Sequence, residues 1–235
     1  MKLRFSSVCF VWATVVVVTA ASGQDTKSQI ISTYRAGGLS FSIPAPTADL
    51  VETGPDYRVL LETFAPNSNR LIAAFIAPQD LAILQTGKVP MPSQYALVEV
   101  PRGAEFVDVN DDQFGQVREG LSQQYEANLE SGLKKGTDEV NEKEKALTGK
   151  ESNLQIDKPT QLGRFFTKPN ADGFGMILPL SGNGISLRRA MGFALLRVNH
   201  RILFVYFYMD YKDEDTVKVV RATLEKWTDA ILTAN

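Results

Sequence analysis

The strongest constraint on the fold is a pair of adjacent strand patterns near the end of the chain. Met191–Val198 and Arg201–Met209 are rich in apolar and aromatic residues, and only Asn199-His200 separates them. A two-residue connection that begins with Asn is typical of a tight β-hairpin, in which both turn residues adopt positive φ. Both faces of the paired strands are largely apolar, so we expect this hairpin to lie inside a sheet covered on both sides.

An amphipathic helix pattern follows the hairpin. Its apolar residues recur every three or four positions and therefore share one face. They are Val217, Val220, Leu224, Trp227 and Ile231. The acidic residues at 213–215 suit the positive end of a helix dipole. We predict that this helix packs on the sheet and that Trp227 is buried there.

The middle of the chain alternates between shorter strand patterns and one long helix pattern. Strands are predicted over residues 39–43, 57–64, 70–77, 95–100, 162–167 and 173–180. Turn residues at 66–69 predict that 57–64 and 70–77 form a hairpin. A helix is predicted over 111–133. The sequence therefore predicts an α+β fold, with a central antiparallel sheet of about six to seven strands flanked by helices and a C-terminal helix after a long hairpin.

Residues 134–151 differ from the rest of the chain in composition. Ten of these eighteen residues are charged, and only Val140, Ala146 and Leu147 are apolar. The segment is predicted to be either a solvated helix or a mobile excursion. In both cases we expect it to belong to a single α+β domain over residues 24–235.

The start of the chain has the order of a secretory signal peptide over residues 1–23. Lys2 and Arg4 precede an uncharged apolar run of fourteen residues, and small residues end it. That run is shorter than the roughly 20 helical residues that cross a membrane. We predict cleavage between Ala21 and Gln24. The mature protein would then be exported, periplasmic or extracellular, with no stable membrane span.

Cleavage would change the chemical inventory of the chain. It would leave 23 basic and 27 acidic residues, a net charge of −4. We expect no nucleic-acid partner, because phosphate binding requires a clustered basic surface. Cys9, the one cysteine, lies in the apolar run. The mature chain would therefore have no disulfide, no catalytic thiolate and no cysteine metal site.

No motif in the sequence predicts a catalytic, cofactor or metal site. His200 is the one histidine, and a hairpin turn is a poor place for the buried imidazole of a Ser-His-Asp triad. Residues 182–187 share two glycines with a dinucleotide-binding motif but lack its third glycine and its strand–helix frame. Arg188 and Arg189 follow and have the charge to hold an anion, but an ordinary glycine turn is the simpler interpretation.

Two groups of carboxylates are dense enough to suggest calcium. They are Asp108, Asp111 and Asp112, and Asp210, Asp213, Glu214 and Asp215. Neither group has the spacing of a calcium-binding loop, so we interpret them as helix caps and solvated first turns. A separate aromatic stretch spans Tyr206–Tyr211. It is either an exposed face that binds a sugar or a partner, or part of the core with hydroxyls at the rim.

Two features together resemble the PsbP-like α/β/α proteins. One is the early strand that ends in Phe41-Ser42-Ile43-Pro44. The other is the final strand pair followed by the helix at 213–232. The resemblance implies an antiparallel sheet flanked by helices, in an exported or lumenal accessory protein without known catalysis. It carries no functional residue, and the charged segment after residue 111 departs from the pattern.

These observations favour an exported, non-catalytic accessory or binding protein of the cell envelope. Its partner is expected to be an envelope protein or a small ligand, with no cofactor. One alternative is a small hydrolase that uses carboxylates alone, which requires two facing acidic side chains with raised pKa. The other is a ligand-binding module that uses the aromatic face at Tyr206–Tyr211.

Overall fold

The structure, a computed structural model, describes residues 31–62, 65–86, 92–127, 129–149, 151, 153–182 and 184–235. The predicted signal peptide and its cleavage site lie outside these residues. The strands are β1 (Ile31–Ala36), β2 (Leu39–Pro44), β3 (Val51–Glu52), β4 (Asn69–Ile76), β5 (Gln94–Pro101), β6 (Gln155–Ile156), β7 (Thr160–Lys168), β8 (Ala171–Gly182), β9 (Ile185–Val198) and β10 (Arg201–Asp210). The helices are α1 (Pro55–Leu61), α2 (Pro78–Gln85), α3 (Asp111–Ala127), α4 (Leu129–Thr148) and α5 (Glu214–Thr233).

Eight strands form one antiparallel sheet. Their order is β3-β4-β5-β10-β9-β8-β6, and β7 pairs with β8 beside β6. The first two strands form a separate hairpin. The α+β fold class is thus confirmed, with an open antiparallel sheet and a C-terminal helix after a long hairpin. None of the described helices has both the length and the apolar character needed to cross a membrane.

Strands β5 and β10 join two parts of the chain that are distant in sequence. Their pairing sets Tyr95 opposite Tyr208 and Glu99 opposite Phe204. On one side of this pairing lie β3 and β4, and on the other side lie the strands that come later in the chain. We call the β5–β10 pairing the seam, because the two parts of the sheet meet there.

The hairpin of β9 and β10 has the turn that its sequence predicts. Asn199 and His200 have φ values of 48° and 62°, and Val198 pairs with Arg201 across them. These left-handed conformations are uncommon for residues with a Cβ, although Asn and His are enriched there. The predicted two-residue turn is therefore confirmed.

Helix α5 covers one face of the sheet, and Trp227 lies at the centre of that contact. The Trp227 side chain is 1% exposed, and its ring meets Phe75 edge to face at 5.9 Å. Its indole N–H donates to the Pro44 carbonyl at 2.7 Å. A Cβ on Gly192 would lie 3.0 Å from Val220 of the helix, so a glycine permits the close approach of α5. The predicted burial of Trp227 is confirmed.

The predicted strand at 57–64 is wrong, because Pro55–Leu61 forms helix α1. Gly54 turns the chain with a φ of 77°. Pro55 then occupies the first helical position, where its missing N–H leaves no hydrogen bond unmade. The predicted hairpin of 57–64 with 70–77 is wrong for the same reason. Strand β4 pairs instead with β3 and β5.

The predicted helix at 111–133 is divided in two. Helix α3 ends at Ala127, and α4 begins at Leu129. Most of the charged segment forms the later part of α4, which matches the helical alternative for that segment. Asn141 fixes this helix to the chain beyond it, since its side chain both donates to and accepts from the backbone of Leu154.

Candidate functional site

The sheet face opposite α5 carries a continuous series of aromatic rings. Phe174 of β8 stacks on Phe193 of β9 with centroids 5.4 Å apart. Tyr206 follows at 6.3 Å from Phe193, and Tyr208 at 6.3 Å from Tyr206. Tyr95 and Tyr208 stack across the seam at 4.4 Å with an interplanar angle of 11°. Side chains on alternate residues share a sheet face, so this series follows directly from the strand register.

Helix α3 covers the Phe174 end of the series. The Tyr125 ring lies 5.0 Å from Phe174 and 5.9 Å from Phe193. Its hydroxyl donates to the Gly175 carbonyl at 2.5 Å and accepts from the Gly163 N–H at 3.1 Å. At this end of the series the tyrosine hydroxyl has its hydrogen bonds, as is usual for a buried polar group.

The opposite end of the series has a different character. Tyr95, Tyr206 and Tyr208 are half-buried, and we call these three residues the tyrosine face. Their hydroxyls make no hydrogen bond with the described part of the chain. None of the three oxygens is among the fully buried polar atoms without a partner, so solvent reaches them. The hydroxyl of a buried tyrosine normally has a hydrogen-bond partner. The hydroxyls of these three neighbouring tyrosines are an exception within the described chain.

Burial moves the hydroxyls of the tyrosine face, which are neutral at physiological pH, still further from ionisation. It raises the pKa of Tyr95 to about 12, against the opposing effect of the nearby Arg189 guanidinium. Burial also raises the pKa of Tyr206 and Tyr208 well above the usual value, and the carboxylate of Glu99 adds to both shifts. The three groups are therefore neutral hydroxyls that both donate and accept.

Glu99 is a carboxyl group in the middle of the sheet beside this face. It is 2% exposed. Its Oε2 accepts a hydrogen bond from the Asn69 side-chain amide at 2.7 Å. Its Oε1 has no partner among the described residues, and it is not one of the fully buried unpartnered atoms. One carboxylate oxygen is thus held by a neutral amide, while the other keeps a small solvent-accessible area.

The pKa of Glu99 is raised to about 7, chiefly because burial disfavours the carboxylate. The Asn69 hydrogen bond and the positive charge of Lys143 act in the opposite direction, and Glu62 adds to the rise. The Lys143 ammonium donates to the Ala65 carbonyl at 2.6 Å. It makes no ion pair with Glu99 in the described structure. The charge of Glu99 is therefore only partly compensated.

Helix α4 holds the turn that leads to Asn69. Besides the Lys143 contact with Ala65, the Glu139 carboxylate accepts from the Asn67 backbone N–H at 2.8 Å. Both contacts fix the start of β4, where Asn69 reaches across to Glu99. The charged segment thus positions the polar base of the site, a role that its composition did not indicate.

Arg189 lies next to Tyr95 of the tyrosine face. It is 2% exposed, and its guanidinium lies 5.4 Å from the Tyr95 ring centroid. Its Nη1 donates to the Pro92 carbonyl at 2.5 Å and lies 3.3 Å from a carboxylate oxygen of Asp210. Arg189 is therefore already paired. The glycines at 182 and 184 join two antiparallel strands, which supports the interpretation as an ordinary turn.

The sequence-predicted groups around His200 form ion pairs and caps. His200 is exposed at the hairpin turn, beside Asp111, Asp112 and Arg197. Arg197 pairs with Asp111. Asp108 pairs with Arg201 in the same region. Among the described residues, no three His, Cys, Asp or Glu side chains are grouped closely enough to hold a metal ion.

The acidic group at residues 210–215 lies at the start of helix α5, and its first member, Asp210, lies beside Arg189. Asp213 caps α5 through the Thr216 N–H at 3.0 Å. Asp215 pairs with Lys218 at 2.7 Å. The structure does not bring these carboxylates together with those near His200 into one site. They stabilise local structure, as their interpretation as caps and first turns predicts.

Glu99 is the functional candidate that sequence reasoning missed. The signal was a single charged residue within the apolar strand pattern at 95–100. Glu62 is the one other carboxyl that acts on Glu99, and it pairs with Arg102 at 2.5 Å. The arrangement therefore offers one carboxyl and a set of hydroxyls. These groups are able to accept hydrogen bonds from a ligand.

No family model matches the chain, and no curated protein matches it. Among solved structures, it is similar to the Ran-binding protein Mog1p of Saccharomyces cerevisiae at a TM-score of 0.36 and 9% identity. It is also similar to the cyanobacterial PsbP protein CyanoP of Synechocystis at a TM-score of 0.32 and 9% identity. Each alignment covers 88% of this chain and 95% of the other. The PsbP-like resemblance is thus a weak structural one, and it transfers no function.

Proposed function

We propose that the protein is an exported, non-catalytic binding protein of the cell envelope, and that the tyrosine face binds its ligand. The observation that carries this proposal is the set of unpaired polar atoms on one sheet face. Three tyrosine hydroxyls and Oε1 of Glu99 have no partner among the described residues. Polar groups on a largely buried surface cost stability unless something hydrogen-bonds to them.

The contrast with Tyr125 supports a binding role. Tyr125 lies on the same aromatic series and makes two hydrogen bonds, whereas the tyrosine face makes none. A polar site with an aromatic surface and a few oriented groups is typical of ligand recognition. Export is supported by the order of basic, apolar and small residues at the start of the chain.

The binding proposal is tested by NMR with ¹³C-labelled tyrosine rings. Small amines, polyols and carboxylic acids are titrated in turn, and the ring signals are followed. We expect at least one class to shift Tyr95, Tyr206 and Tyr208. Tyr211 is the internal control, because Arg188 packs over its ring at 4.4 Å outside the tyrosine face. If every class leaves the three signals unchanged, or shifts Tyr211 equally, the proposal is wrong.

Export has its own test, which is N-terminal sequencing of protein recovered outside the cytoplasm. We expect the mature chain to begin between Ser22 and Gln24. Recovery of intact Met1 in the membrane fraction would contradict cleavage and indicate an anchor instead.

A further inference from the structure

We propose that the group bound at the base of the tyrosine face is a primary ammonium, supplied by a free amine or by a lysine side chain. This inference rests on the proposed function and names its ligand class. It follows from three features: the incompletely compensated charge of Glu99, the hydrogen-bond acceptors on the same sheet face, and the aromatic rings of the tyrosine face.

The first feature is charge. Glu99 is almost completely removed from solvent, and its one hydrogen-bond donor is the neutral amide of Asn69. The nearby ammonium of Lys143 is bonded to the Ala65 carbonyl. A buried carboxylate without a counter-ion is unfavourable. A cation bound at Oε1 would supply the missing charge, whereas an anion would be repelled.

The second feature is the match of donors and acceptors. A primary ammonium has three N–H donors and no acceptor. The site offers acceptors that fit it, since Oε1 of Glu99 and the hydroxyls of Tyr206 and Tyr208 on the same sheet face have no donor of their own within the described chain. A neutral polyol would satisfy the hydroxyls but would leave the carboxylate charge uncompensated.

The third feature is the apolar wall. The rings of Tyr95, Tyr208 and Tyr206 stack in one series and present a continuous aromatic surface. The carbon body of an amine or the methylene stem of a lysine would lie against this surface. Binding then combines a charge-assisted hydrogen bond at Glu99 with apolar contact along the tyrosine face.

Binding of an ammonium requires Glu99 as a carboxylate. The ligand keeps its proton, and Glu99 releases its carboxyl proton to solvent. The groups that face Glu99 are Glu62 after α1, Lys143 on α4, and Tyr206 and Tyr208 on β10. Because Glu99 has a pKa of about 7, we expect affinity to rise about thirtyfold from pH 5.5 to pH 8, as the fraction of carboxylate increases.

Isothermal titration calorimetry of the full mature chain tests this inference. The probes are phenethylamine and N-acetyl-lysine methylamide, with 2-phenylethanol as the neutral match and phenylacetate as the anionic match. We expect one or both ammonium probes to bind at pH 8, and the two matches to bind at least tenfold more weakly. Binding of the first ammonium probe assigns a free amine, and binding of the second assigns a lysine side chain.

Two variants connect the binding to the residues. Glu99→Gln keeps the size of the side chain and removes its charge, so we expect at least a tenfold loss of ammonium affinity and no remaining pH dependence. Tyr211→Phe is the control and should leave affinity unchanged. Unfolding curves establish that Glu99→Gln is folded. The ammonium class is wrong if Glu99→Gln keeps full affinity, if 2-phenylethanol binds equally well, or if neither ammonium probe binds. In that event the proposed function still stands if another class shifts the tyrosine signals.

Discussion

The two faces of the central sheet are formed by the same strands but differ in how their large aromatic side chains are paired, although helix α5 also carries one buried hydroxyl without a partner, that of Thr228. On the α5 face, the Trp227 indole N–H is paired with Pro44 and the ring is fully packed. On the opposite side of the sheet, the three hydroxyls of the tyrosine face and Oε1 of Glu99 have no hydrogen-bond partner in the described chain. We infer that the α5 face supplies stability, while the opposite face gives up some stability to keep polar groups available.

The largest expected effect is on the α5 face. We predict that Trp227→Ala lowers the free energy of unfolding by about 3–5 kcal/mol, because it removes a fully packed aromatic side chain and leaves a cavity. Urea unfolding measures the change. Val219→Ala is the matched control on the same helix, since Val219 is 47% exposed, and it should have almost no effect. Equal stability losses in the two variants would remove the contrast between the faces.

The next largest effect is expected at Glu99, where loss of the side-chain charge should raise the free energy of unfolding and not lower it. Its pKa rises from 4.5 to about 7 on folding, so the folded state holds its proton at pH values where the unfolded state has lost it. The free energy of unfolding should therefore fall as pH rises from about 4.5 to 7, by on the order of 3 kcal/mol for this group.

Glu99→Gln should abolish that decrease and make the protein more stable than the unmodified chain at pH 8. Chemical unfolding at pH 4.5, 6 and 8 measures both quantities. If the variant is less stable than the unmodified chain at pH 8, the Glu99 carboxylate stabilises the fold, and our comparison of the faces is wrong.

A smaller effect separates the two ends of the aromatic series. We predict that Tyr125→Phe costs about 1–2 kcal/mol, because it leaves a buried carbonyl and a partly buried N–H without their partner. Tyr206→Phe should change the free energy of unfolding by less than about 0.5 kcal/mol, since its hydroxyl bonds to nothing in the described chain. Thermal unfolding of both variants gives the comparison. A larger cost at Tyr206 would show that its hydroxyl has a structural partner.

The smallest effect is expected at the hairpin turn, which belongs to neither face. His200→Gly should raise the free energy of unfolding by less than about 1 kcal/mol, because glycine relieves the strain at a φ of 62° but adds freedom to the unfolded chain. Differential scanning calorimetry measures the shift, with ligand affinity followed in parallel. Loss of ligand binding in a stably folded His200→Gly protein would assign His200 to the site.

The parts of the fold that the sequence predicts correctly are those governed by local patterns. Helix α5 and the β9–β10 hairpin have long periodic signals and a two-residue turn, so nearby residues determine them. The sequence predicts a strand where helix α1 forms, because seven residues are too few for periodicity to distinguish a helix from a strand. The site depends on a non-local pairing, because nothing near Glu99 in sequence indicates that Tyr206 and Tyr208 lie on the same sheet face. A lone glutamate in an apolar strand was the one local signal.

The seam has a consequence for the order in which the protein folds. The turn of β9 and β10 spans two residues, and hairpins of this kind form within about 1–10 μs. The seam instead pairs Gln94 with Met209, and such long-range pairing is slower because a long loop must first be closed. Tyr95 and Glu99 lie on one side of the seam, while Tyr206 and Tyr208 lie on the other. On the proposed export and ligand binding, a chain held unfolded during transport would have no affinity for the ligand, and would gain it only when the two parts of the sheet meet.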